Sequence, residues 1–172
     1  NKLPLDKYNP YLIEFFDNMR LYDGYSVLQL DIPDDKIRHM LGGSNIARNA
    51  VARNSNTSPT ILAILAKDKD ESIRVSVAVN RSTSVDTLSL LADDSSDYVR
   101  QMVARNAKTL TLLTLMAKDK DKWVRVVVAE NDNTSPSVLA LLATDSDENV
   151  RVAVAQSTST LPDTLALLAM DK

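Results

Sequence analysis

The sequence predicts an all-α fold, a superhelical solenoid of two-helix repeats behind an N-terminal helical cap. Three observations carry that prediction. A block of matched residues recurs about every 26 positions, the mark of a stacked repeat architecture. Each block holds two segments whose apolar residues follow helical spacing. Six of the eight aromatic residues lie ahead of the first full repeat, where a stacked array needs its exposed end covered.

The cap occupies residues 1–43 and includes the start of a degenerate repeat. Its aromatics are Tyr8, Tyr11, Phe15, Phe16, Tyr22 and Tyr25. The run from Tyr11 to Leu21 reads as one helix, ended near Asp23-Gly24. The degenerate repeat covers about 29–53, with Pro33 lying 26 residues before Pro59. Gly42-Gly43-Ser44 stands where later repeats carry an acidic link.

The repeat array occupies 44–172. Arginine recurs at Arg48, Arg74, Arg100, Arg125 and Arg151, at intervals of 26, 26, 25 and 26. Alanine follows each by four residues, and Asn54, Asn80, Asn106 and Asn131 follow the first four by six. Threonine comes three residues later, at Thr57, Thr83, Thr109, Thr134 and Thr160. A Leu-x-x-Leu/Met-Ala block then precedes an acidic link such as Asp68-Lys69-Asp70 or Asp145-Ser146-Asp147. The units run 54–79, 80–105, 106–130 and 131–156, with a half-unit over 157–172. The unit at 106–130 lacks one residue around Thr109-Leu110-Thr111, which predicts a local change in stacking angle.

Within a unit, Thr57-Ser58-Pro59 reads as a helix start: a hydroxyl accepts from free first-turn amides, and proline suits the first helical position. Leu62, Leu65 and Ala66 share one face of that helix. Ile64, Leu90, Leu115, Leu141 and Leu167 form a second apolar row, which predicts a helix sandwiched between neighbours. The second segment, Val124-Arg125-Val126-Val127-Val128, has β-branched strand character. Its copies argue for a helix. A strand would place Asn49 and Gln101 on the buried face. A helix groups Val99, Val103 and Ala104 and turns Gln101 away. The expected element is a short helix, in part 3₁₀, that holds only by stacking.

The pattern Val-Arg-x-x-Val-Ala-x-Asn-x-x-Thr-x-x-x-x-Leu-x-x-Leu-Ala-x-Asp resembles that of the leucine-rich repeat variant family, over roughly 44–172. The resemblance implies a right-handed solenoid of alternating α and 3₁₀ helices, armadillo- or HEAT-like in appearance. An iron–sulfur cluster held by cysteines is known in the family, but this chain has no cysteine to hold one.

Composition narrows function. Without cysteine there is no disulfide, thiolate metal site or thiol nucleophile. One histidine, His39, offers neither a zinc cluster nor an obvious catalytic base. No convergent nucleophile, base and orienter can be read, so the chain is expected to be no enzyme, with no cofactor, metal or catalytic residue. The aspartate links lack the glycine and terminal glutamate of a calcium loop. No apolar run approaches the ~20 residues of a membrane helix. A cytoplasmic protein is expected, although the chain begins on Asn1 rather than Met, as it would after removal of a tag or signal.

The arginines read as a structural ladder, their stems over the following alanine and their heads toward the aspartates of the preceding link: Asp68, Asp94, Asp119 and Asp145. The asparagines read as residues in left-handed backbone after each second helix. The threonines read as helix caps. Positions that differ between copies gather in one outward stripe: Tyr98, Gln101, Arg105, Trp123 and Val126, with Val75 and Val79 as an apolar fringe. An exposed aromatic pair with an arginine has the makeup of a protein-binding hot spot, so a protein or peptide is the expected partner. The rival reading is nucleic acid, held by Arg53, Arg105, Lys108, Lys118, Lys120 and Lys122. The formal net charge of -3 weighs against it. After Ala169 no second cap can be read. Two expectations follow: a longer array, or self-association through that end.

Overall fold

A computed structural model describes residues 43–170 of the chain. The expected N-terminal cap through residue 42, with its helix, its six aromatics and His39, lies outside the described residues. The described residues form ten helices and no strand. None is long and apolar enough to cross a membrane. They fall into two compact units, divided between Ser82 and Thr83. The first holds α1 (Asn45–Arg53), α2 (Pro59–Leu65) and α3 (Glu71–Val79). The second holds α4 (Val85–Leu91), α5 (Asp97–Asn106), α6 (Leu110–Met116), α7 (Lys122–Glu130), α8 (Pro136–Leu142), α9 (Glu148–Gln156) and α10 (Pro162–Leu168).

Longer and shorter helices alternate, and both rows are α-helical throughout. This departs from the 3₁₀ character expected of one of them. The valine-rich segments are helices because the repeated apolar triplet closes on one side. Val99, Val103 and Ala104, like Val124, Val128 and Ala129, are fully buried. Long helices pack on long helices within each unit: α1 on α3, α5 on α7, and α7 on α9.

The acidic link does two jobs. Its first aspartate turns the chain, accepting from the amide two residues on: Asp70 N to Asp68 at 2.9 Å, Asp121 N to Asp119 at 2.8 Å, Asp147 N to Asp145 at 2.9 Å. Its last residue caps the next long helix. Asp121 accepts from Trp123 N at 2.9 Å and Val124 N at 3.1 Å, and Asp147 from Asn149 N at 2.9 Å.

The short helices begin one residue later than the threonines suggest. The caps are Ser84, Ser135 and, where the repeat is a residue short, Thr109. Thr57, Thr134 and Thr160 are buried. Their hydroxyls donate backwards to the carbonyls of Val51, Val128 and Val154 at 2.6, 2.5 and 2.6 Å. The cap reading is therefore corrected for these threonines. A buried hydroxyl satisfies a helix-end carbonyl that the helix itself leaves short of partners.

The missing residue in the third unit is absorbed locally. α5 runs ten residues where its counterparts run nine, and Thr109 moves into the cap position, accepting from Leu112 N at 3.4 Å.

Candidate partner-binding surface

The surface is set by two polar rungs that pin successive long helices side by side. At the leading end, Arg100 donates from Nε and Nη2 to both carboxylate oxygens of Asp119, at 2.8 and 3.1 Å. Its Nη1 donates to the Asp94 carbonyl at 2.8 Å. Arg125 repeats this with Asp145 at 2.7 and 2.9 Å and the Asp119 carbonyl at 2.8 Å. In the first unit Arg48 reaches Asp68 at 2.6 and 3.3 Å, and the Gly43 carbonyl at 2.7 Å. Arg74 and Arg151 donate to the carbonyls of Asp68 and Asp145, each at 2.9 Å.

This corrects the expected pairing. The preceding link gives the arginine a backbone carbonyl, and the carboxylate comes from the following link. Arg48, Arg100 and Arg125 thus each tie one repeat to the following repeat within the same compact unit. The preceding carboxylate is already occupied: Asp119 accepts from Asp121 N and from Arg100, and Asp68 from Asp70 N and Arg48, so the next arginine meets the backbone carbonyl instead. The hydrogen bond that Arg100 donates to Asp119 raises the Arg100 pKa, and the one to Asp145 does the same for Arg125. In return the Arg125 hydrogen bond holds the Asp145 carboxyl below its usual range.

At the trailing end the asparagines form the second rung. Asn131 Nδ2 donates to the carbonyls of Ala104 at 2.7 Å and Ala107 at 3.0 Å, and its Oδ1 accepts from Asn133 N at 2.8 Å. Asn80 does the same with Ala52 at 2.8 Å, Asn54 at 2.9 Å and Ser82 N at 2.9 Å. Asn54 Oδ1 accepts from Asn56 N at 2.9 Å. Asn54, Asn80 and Asn131 have φ near -70, -71 and -75° with extended ψ. The left-handed reading is corrected: the backbone is extended here, and the Asn80 and Asn131 amides reach back to carbonyls at the end of the preceding long helix. Asn106 closes α5 as its last residue.

With α5 and α7 pinned at both ends, equivalent residues stand side by side, about 10 Å apart at ordinary helix packing. Tyr98 and Trp123 occupy the same place in the first turn of each. They are 50% and 47% exposed. Lys122 Nζ lies 5.3 Å from the Trp123 ring centroid and pairs with Asp147 at 3.0 Å. The Asn149 side chain first, and Lys122 second, pull the Asp147 carboxyl down to about 2. Arg105 is exposed near the far end of α5. There a shallow cavity of about 230 Å³ is lined by Arg105, Val127, Glu130, Asn131, Asp132 and Asn133.

Not every expected stripe residue reaches the surface. Gln101 is half-buried and Val126 is only 8% exposed. Val126 belongs to α7, which has α5 on one side and α9 on the other, and the two neighbours close over it. Val152, at the same place on α9, is exposed. Val75 is half-buried and Val79 exposed, both on α3 in the first unit. The second unit's surface therefore consists of Tyr98, Trp123, Arg105 and Val152, with Gln101 at its floor.

The short helices hold a feature that the expected sandwich packing misses. Ile64 in the first unit, and Leu90, Leu115, Leu141 and Leu167 in the second, are all exposed to about half their area. Ile64, Leu90, Leu115 and Leu141 each lie two residues past a core leucine, namely Leu62, Leu88, Leu113 and Leu139, a rotation of about 200° that points them away from the core. The spacing held that information.

Comparison of the chain with protein-family models, with curated proteins and with solved structures finds no match in any of the three.

Proposed function

We propose that this chain is a non-enzymatic repeat scaffold of the leucine-rich repeat variant type. It binds a protein or peptide along the outward stripe of its second unit. The observation that carries the reading is the exposed pair Tyr98 and Trp123, at matching places on two helices locked in register. Large rings left half in water on a rigid frame lose little entropy on binding and bury much apolar area, which makes them anchors. The alternative, nucleic acid, draws less support: Lys122, nearest the rings, is engaged by Asp147.

The test is an affinity pull-down with the intact chain and with Trp123→Ala. The variant should stay folded, because Trp123 is 47% exposed and lies outside the buried core, and should lose the captured partner. Unchanged capture with native circular dichroism defeats the assignment.

A further inference from the structure

The charges around the aromatic pair indicate what kind of peptide it takes. On α5, α7 and α9 the ladder engages Arg100, Arg125 and Arg151, and Asp147 engages Lys122. That leaves three exposed carboxylates, Asp97, Glu130 and Glu148, against one exposed guanidinium, Arg105. The flanking loops do not change the balance, since Lys108, Lys118 and Lys120 are matched in number by Asp93, Asp121 and Asp132. The stripe is thus apolar at its centre and acidic around it. Asp97 sits directly before Tyr98 in the first turn of α5. An arginine side chain can lay its guanidinium on such a ring and meet a carboxylate at the same time.

We infer that the occupant is an extended peptide segment rich in arginine or lysine, supplied by another protein. This rests on the proposed peptide-binding reading and names its partner class. The chain itself is a poor candidate. Residues 1–42 carry seven acidic and five basic side chains, and the whole chain has a net charge of -3. A complementary partner must carry the opposite sign, because like charges facing one another across an interface oppose association.

Trp123 is the chain's single tryptophan, so its emission reports on this surface directly. Three synthetic pools of short peptides, matched in apolar content, are titrated into the full chain: one with Arg/Lys, one with Asp/Glu, one with Ser/Gln at the polar positions. The basic pool is expected to shift Trp123 emission with about tenfold tighter affinity than the acidic pool at low salt, a gap that added salt narrows. The triple variant Asp97→Asn, Glu130→Gln, Glu148→Gln, checked for native circular dichroism, should bring the basic pool close to the neutral one. Equal or tighter binding of the acidic or neutral pool overturns the charge assignment and leaves peptide binding standing. A preference for the basic pool that the triple variant retains also overturns it. If no pool moves Trp123 emission, both the charge assignment and the peptide-binding reading fail.

Discussion

Arg100→Met tests the frame on which the surface depends. Arg100 and Asp119 are the most enclosed of the arginine–aspartate pairs given above, with side chains 4% and 8% exposed. The substitution keeps an apolar side chain of similar length and removes four hydrogen bonds, two of them to the carboxylate. Asp119 retains only its turn bond from Asp121 N. Removing one partner from a buried pair costs about 3–5 kcal/mol, mostly as the penalty of the charge left behind. Against a typical domain stability of about 5–15 kcal/mol this is a large fraction. With a urea dependence of about 2 kcal/mol per molar, the unfolding midpoint should fall by about 2 M. The double variant Arg100→Met, Asp119→Asn removes the stranded charge and keeps an acceptor for Asp121 N, so it should recover more than half of that loss. The assay is urea denaturation followed by circular dichroism, with the slope checked for two-state behaviour. A midpoint shift under about 0.5 M for the single variant would place the pair among ordinary surface ion pairs and refute the argument that it locks the helices in register.

Other expectations follow from the same geometry. Thr134→Val keeps the shape and removes the bond to the Val128 carbonyl; it should cost about 1 kcal/mol, read by thermal unfolding, with Thr134→Ser close to wild type. Leu139→Ala, at a fully buried position, should cost about 2–5 kcal/mol, while Leu141→Ala, at a position 47% exposed, should cost under about 1 kcal/mol; equal losses in chemical denaturation would mean the outer row is packed after all. Asp145 and Asp147 both titrate below the usual carboxylate value in the folded chain, so their stabilisation is complete above the unfolded pKa of about 4 and drains away as pH falls toward 2. Melting temperatures measured from pH 6 to pH 2 should therefore hold level and then drop, and a profile flat to pH 2 would contradict the pairing.

The helix content was legible because the copies could be read against one another. Val124 to Val128 alone suits a strand, and only Gln101 and Asn49 at the equivalent middle position turn the reading to a helix. Tyr98, Trp123 and Arg105 were legible as outward residues for the same reason. What the copies could not give was the direction of polar contacts. An aspartate on either side of an arginine satisfies the same sequence pattern, and only the folded backbone decides that Asp119 offers its carboxylate to Arg100 and its carbonyl to Arg125. The threonines misled because capping is the commonest use of that residue before a helix, whereas Ser84 and Ser135, one residue on, accept from the first-turn amides in their place. Val126 misled because a helical wheel treats a helix as isolated, and α7 is enclosed by two others.

The residues that never change and those that do serve separate ends of the same helices. Within the second unit, arginine with aspartate at one end, and asparagine at the other, bind α7 to its neighbours through side chains that make no demand on the face between them. A helix of nine residues is too short to persist alone in water, so without these rungs any change on the outer face that weakened helix propensity would risk the fold. With them, tyrosine, tryptophan, asparagine or serine can occupy the same first-turn position in different copies while the backbone stays helical in each. Recognition can then change copy by copy. Arg100→Met should therefore weaken binding at Tyr98 and Trp123 by loosening their spacing. Trp123→Ala should weaken binding and leave the unfolding free energy from urea denaturation within about 0.5 kcal/mol of wild type, the usual bound for a surface change.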